Sequence, residues 1–269
     1  MENLFLFIFL LNTTVAYSNE GPCKEHETEK IAAAGEELDS VTGKVIAKLS
    51  LTEFYKKSKE INGLIVKGSV SIEDISLVKA GATIEKMLSK REDIRARMIL
   101  NRADIVVIAK SENYCDIPEA RNLRDVKTFD GRSFCDICGG GGVPGRPITT
   151  VCEDNLLKTT KDPYFGTEDI LTHEFAHAIH ILGMEERDKT SLTNLYNKAK
   201  EKKIFEKNYK GEPTYMMANE QEFFACLSAA WFGVHNPKSL SVSQELVNRN
   251  SIREKLPDMY EFMKTIYPE

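Results

Sequence analysis

The segment His173-Glu174-Phe175-Ala176-His177 constrains this chain more than any other feature. At about 100° per residue, two helical histidines four positions apart lie about 40° from each other and one turn apart, so both imidazoles can chelate one metal ion. Glu174 projects beside them, poorly placed for the same coordination sphere but able to take a proton from a water held there. Bound zinc lowers the pKa of such a water towards ~7. The flanks read as helical: Thr167 can cap the segment, and Glu168 and Asp169 favour its first turn. The chain has five histidines in 269 residues. His173, His177 and His180 belong to this one segment, while His26 and His235 have no evident role.

A catalytic zinc needs a third protein ligand. The metzincin pattern requires glycine at 180 and histidine at 183, and the chain has His180 and Gly183, so that solution is excluded. The alternative is a glutamate on a following helix. Glu220 and Glu222 open an apolar helix and lie about 160° apart in azimuth, so one of the two can face the metal. His180 shares the histidine face and is read as a pocket residue or a partner of a ligand, with chelation alongside His177 the minor alternative. Tyr215, seven residues before Glu222, can donate to a developing oxyanion; an ordinary core tyrosine is the competing reading.

HEFAH and Tyr215-Met-Met-Ala-Asn-Glu-Gln-Glu-Phe-Phe-Ala resemble the catalytic domain of anthrax lethal factor and the secreted Pro-Pro endopeptidases. These are gluzincin-type zincins whose motifs read HEFGH and Y-x-x-x-N-E-x-E-F-F-A. The resemblance covers residues ~165 to ~235 and implies that His173, His177 and Glu222 bind one Zn2+ per chain, with Glu174 as general base and Tyr215 as oxyanion donor. One position departs: the family places an acid four residues after the ligand glutamate, where it orients a zinc-bound histidine, and this chain has Cys226. Either another carboxylate serves, or metal affinity and activity are reduced. Upstream, FYKKSKEINGLIVKG, CDIPEARNL and CEDNLL resemble secreted fungal and bacterial proteins that also carry HEFAHAIH, which adds a fold expectation and no substrate.

Residues 1–18 read as a secretory signal peptide. Leu4 to Leu11 is an unbroken apolar run, far short of the roughly 20 residues needed to span a membrane, and Ala16-Tyr17-Ser18 suits cleavage, although Met1-Glu2-Asn3 carries no basic residue. The expected product is a soluble, extracellular protein without stable membrane association. With 36 Lys and Arg against 41 Asp and Glu, the net charge of −5 makes no case for a nucleic-acid partner. Six cysteines suit export but are too few for a disulfide-only scaffold. Cys115, Cys135, Cys138 and Cys152 are placed to form two bridges of undetermined connectivity, Cys226 to stay free, and Cys23 to form a plain disulfide rather than a latch on zinc.

The fold class is α+β and zincin-like: residues 19–269 form a single two-lobed unit, a mixed α/β lobe followed by a helical one, with the border near 183. The first lobe reads as a helix-prone stretch to Ile61, a strand at Leu64–Val66, and a helix from Ser71 to about Lys90 with Ile75, Val78, Ala82 and Leu88 as its stripe. A helix over 91–101 and a doubly buried central strand, Ile105–Ala109, follow. Cys115–Pro147 reads as a long surface loop whose Gly139–Gly142 form a flexible lip beside the cleft, before a strand at Ile148–Val151. Helices are expected at 167–183, 188–204 and 218–232, with two more after Ser241. The function implied is a secreted zinc metalloendopeptidase acting on a peptide or protein laid along an edge strand. The alternatives are an exported zinc-binding module with decayed catalysis and a zinc hydrolase of non-peptide amides.

Overall fold

The computed structural model describes residues 51–128, 131–162 and 168–269, with the backbone of two short strands, β1 (Glu36–Leu38) and β2 (Val45–Ala47), paired antiparallel. The expected signal peptide, Cys23 and the Thr167 cap lie outside the described residues.

After a single helical turn, α1 (Leu51–Phe54), the chain enters β3 (Lys57–Ile61) and β4 (Leu64–Gly68), which form an antiparallel hairpin. Helix was expected as far as Ile61. The hairpin forms instead because Asn62 and Gly63 both take positive φ, 46° and 88°, the geometry that turns two twisted strands back on each other. Asn-Gly flanked by Ile61 and Leu64 was the signal for it.

Two helices, α2 (Asp74–Leu88) and α3 (Glu92–Leu100), carry the chain over to β5 (Ile105–Ile108). The N-cap of α2 is Glu73, so the helix starts three residues after Ser71, where it was expected to begin. Its buried face is Leu77, Ala80, Gly81, Ile84, Met87 and Leu88, whereas Ile75 and Val78 are exposed. The expected stripe is thus corrected: the helix turns its 3.6-residue pattern on Leu77 and Ile84, which have the sheet and the helix at Ile170–Ala178 to pack against.

β5 is the middle of a five-stranded sheet ordered β3-β4-β5-β7-β6, where β6 is Gly139–Gly140 and β7 is Thr149–Cys152. It runs parallel to β4 and β7, with Ile105 opposite Val66 and Thr149. Alternation along β5 divides its burial: Ile105 and Val107 enter the main core, and Val106 and Ile108 enter a smaller one with Tyr114, Ile117 and Ala120. The segment after β5 therefore covers the second face of the sheet, through short 3-10 turns at Tyr114–Asp116, Pro118–Leu123 and Phe134–Asp136. Disulfides Cys115–Cys135 and Cys138–Cys152 hold it there. Gly139 and Gly140 pair with Val151 and Thr150, so this part of the expected loose lip is a sheet edge.

From β7 the chain passes through α4 (Glu153–Leu157) to α5 (Ile170–Ala178), which continues into a π-helical turn, Ile179–Gly183. The second half is helical as expected: α6 (Glu186–Glu201), α7 (Glu220–Trp231), α8 (Arg249–Lys255) and α9 (Pro257–Ile266). α7 is buried continuously from Phe223 to Trp231 because α5 packs on one side and α6 and α8 elsewhere. Among the described residues no helix is long and apolar enough to cross a membrane.

Candidate metal centre

α5 is capped by Asp169, whose carboxylate accepts the Thr172 N–H at 3.0 Å. One turn in, the His173 and His177 rings meet edge to face with Nε2 atoms 3.1 Å apart. α7 supplies the third group. Asn219 caps that helix by accepting the Glu222 N–H at 2.9 Å, which orients the first turn so that Glu222 Oε2 lies 3.1 Å from His173 Nε2 and 3.5 Å from His177 Nε2. Three donors around a tetrahedral ion with ligand bonds of about 2.0–2.1 Å sit about 3.3 Å apart, so the donor set fits zinc in both chemistry and spacing. The two histidines hold the Glu222 carboxyl well below the usual range, against the opposing effect of burial.

Glu220 does not reach this point. It accepts the Thr193 hydroxyl at 2.5 Å and lies 3.9 Å from His180. His180 itself stays outside the donor cluster, packed against Phe224, and burial together with His177 and Lys189 lowers its pKa to about 4.

The cleft above these residues has a volume of about 890 Å3. Glu174 lines it, and burial raises its carboxyl pKa despite the opposing pull of His173 and His177. Tyr215 enters from the turn Tyr215–Met217, its hydroxyl donating to Glu222 Oε1 at 3.1 Å. Burial, reinforced by the Glu222 charge, keeps this phenol protonated. On the opposite wall Gly139 in β6 and Gly141 just after it bring the backbone directly onto α5: a Cβ on Gly141 would stand 2.5 Å from His177 Cβ. Sequence reasoning placed these glycines beside the cleft without recognising that close approach requires them.

No family model matches the chain, and no curated protein sequence matches it. Among solved structures, the Pro-Pro endopeptidase from Paenibacillus alvei aligns with a TM-score of 0.52 at 18% identity, covering 76% of this chain and 97% of that one. The two folds are related.

Position 226 carries a free, buried cysteine beside His173, its thiol pushed up to about 11 by burial against the opposing pull of that histidine. A second group reaches the same histidine: Glu168 Oε1 stands 3.3 Å from His173 Nδ1. In the sequence Glu168 read only as a favourable charge at the helix start. Helical projection could not relate it to His173, because the residue precedes the N-cap and its backbone lies outside the helix.

Proposed function

We propose that this chain is a secreted zinc metalloendopeptidase of the gluzincin type. The observation that carries the reading is the convergence of His173 Nε2, His177 Nε2 and a Glu222 carboxylate oxygen within 4.8 Å of one another, on a cleft that also presents Glu174 and Tyr215. His173, His177 and Glu222 would hold the ion. Bound there, zinc would act as a Lewis acid, acidifying a water and polarising a peptide carbonyl.

The remaining chemistry belongs to the chain. Glu174 takes the proton of the water as its oxygen attacks the carbonyl carbon, and delivers that proton to the amide nitrogen as the C–N bond breaks. Its raised affinity for the proton suits both halves of this transfer. The Tyr215 hydroxyl, now on Glu222, turns its hydrogen to the developing oxyanion. An extended peptide pairs with the side of β6 away from β7, an edge that takes no strand among the described residues. Two disulfides suit the oxidising compartment that the leader implies.

The test is metal analysis of the purified full chain, followed by incubation with a diverse peptide library beside Glu174→Gln. One zinc per chain with cleavage that vanishes in the variant supports the reading. Zinc without Glu174-dependent cleavage favours the exported binding module, the reading to which Cys226 in place of an acid lends some weight. Absence of stoichiometric zinc overturns both.

A further inference from the structure

We infer that Glu168 is the residue that positions His173 as a metal ligand, taking the role left open by Cys226; this rests on the zinc reading above. A histidine that binds a metal through Nε2 carries its proton on Nδ1, and a carboxylate accepting that proton fixes the tautomer, orients the ring and raises its basicity. His173 turns Nε2 to His177 and Glu222, and its Nδ1 lies within ion-pair distance of Glu168 Oε1, at 3.3 Å.

The backbone that carries Glu168 is pinned. Buried Asn155 donates through Nδ2 to the Glu168 carbonyl at 3.0 Å and to Asp162 Oδ2 at 2.9 Å, and accepts the Ile170 N–H through Oδ1 at 2.9 Å. One amide thus clamps the turn on both sides of Asp169. The clamp presents Glu168 to the cleft from the N-terminal side of α5, whereas an acid at 226 would come from α7. The two histidines are treated unequally: among the described residues His177 Nδ1 is buried with no hydrogen-bond partner, whereas His173 Nδ1 has the Glu168 carboxylate at 3.3 Å. The Cys226 thiol lies beside the same ring but, as an uncharged thiol, offers a weaker partner than a carboxylate.

Zinc affinity of the full chain, measured by chelator competition, separates the two candidates. Glu168→Ala should weaken zinc binding about 10–100-fold, Glu168→Gln should fall between it and wild type because it keeps an acceptor without the charge, and Cys226→Ala should stay within about threefold. With cobalt(II) in place of zinc, the visible bands should shift in Glu168→Ala and not in Cys226→Ala. The near-isosteric Glu168→Gln carries the test should the alanine variant not fold. Wild-type affinity in the Glu168 variants, or a loss that appears in Cys226→Ala instead, overturns the assignment while leaving the zinc reading intact. No zinc binding by the wild-type chain overturns that reading and this one with it.

Discussion

Tyr215 donates to Glu222 Oε1 at 3.1 Å while the other oxygen of the same carboxylate lies 3.1 Å from His173 Nε2. The proposed oxyanion donor is thereby tethered to a proposed metal ligand and would need only to swing its hydrogen towards the substrate. Tyr215→Phe should lower kcat about 10²–10³-fold with little change in KM, since the interaction strengthens in the transition state. Zinc content should be unchanged; steady-state kinetics beside metal analysis reads both.

A metal held by these residues joins two helices, because His173 and His177 come from α5 and Glu222 from α7. Chelation should therefore lower stability as well as activity. At free zinc about 1,000-fold above Kd the bound ion contributes about 4 kcal/mol. Thermal unfolding with and without chelator should show the difference, and Glu222→Ala should remove most of it.

The backbone at Gly139 and Gly141 rests on the Ile170, Glu174 and His177 side chains of α5 with no side chain of its own between. Gly141→Ala should push the strand off the helix, because the new methyl would stand 2.5 Å from His177 Cβ and 3.1 Å from the Glu174 carbonyl oxygen. Overpacking of this kind costs about 1–3 kcal/mol. Denaturant unfolding should report that loss, and kcat/KM should fall further than the stability change alone accounts for, since the proposed substrate pairing uses the displaced strand.

His180 is buried and held neutral, with its pKa lowered to about 4 from the ordinary 6.5. As pH falls below 6.5 the unfolded chain takes up the proton before the native one does, so stability declines between pH 6.5 and about 4 and no further below that. The effect is of order 2–3 kcal/mol at the lower limit. In unfolding curves of the chelated protein at pH 7 and pH 4.5, His180→Leu should show a smaller acid-induced drop than wild type.

Much of this architecture was legible because it depends on neighbours in sequence. The β-branched run at Ile105 announced a strand buried on both faces, and the 3.6-residue spacing of the second half announced its helices. Where prediction failed, competing local signals were present. Lys57–Ile61 carries the charge of a solvated helix, yet the Asn62-Gly63 turn and an available edge on β4 made it a strand. The helix Asp74–Leu88 has apolar residues on more than one face, and only its neighbours decide that Leu77 and Ile84 are buried while Ile75 and Val78 are not.

The candidate site divides along the same line. The spacing of His173, Glu174 and His177 is a property of one helix, so three residues by themselves determined that two imidazoles share a face with a carboxylate beside them. The choice of Glu222 over Glu220, the arrival of Glu168 at His173 and the docking of Gly141 on His177 join groups from separate elements. Those meetings depend on the angle between α5 and α7, on the clamp at Asn155 and on how closely β6 approaches. Packing across the whole chain sets such distances, and only the tertiary structure decided them.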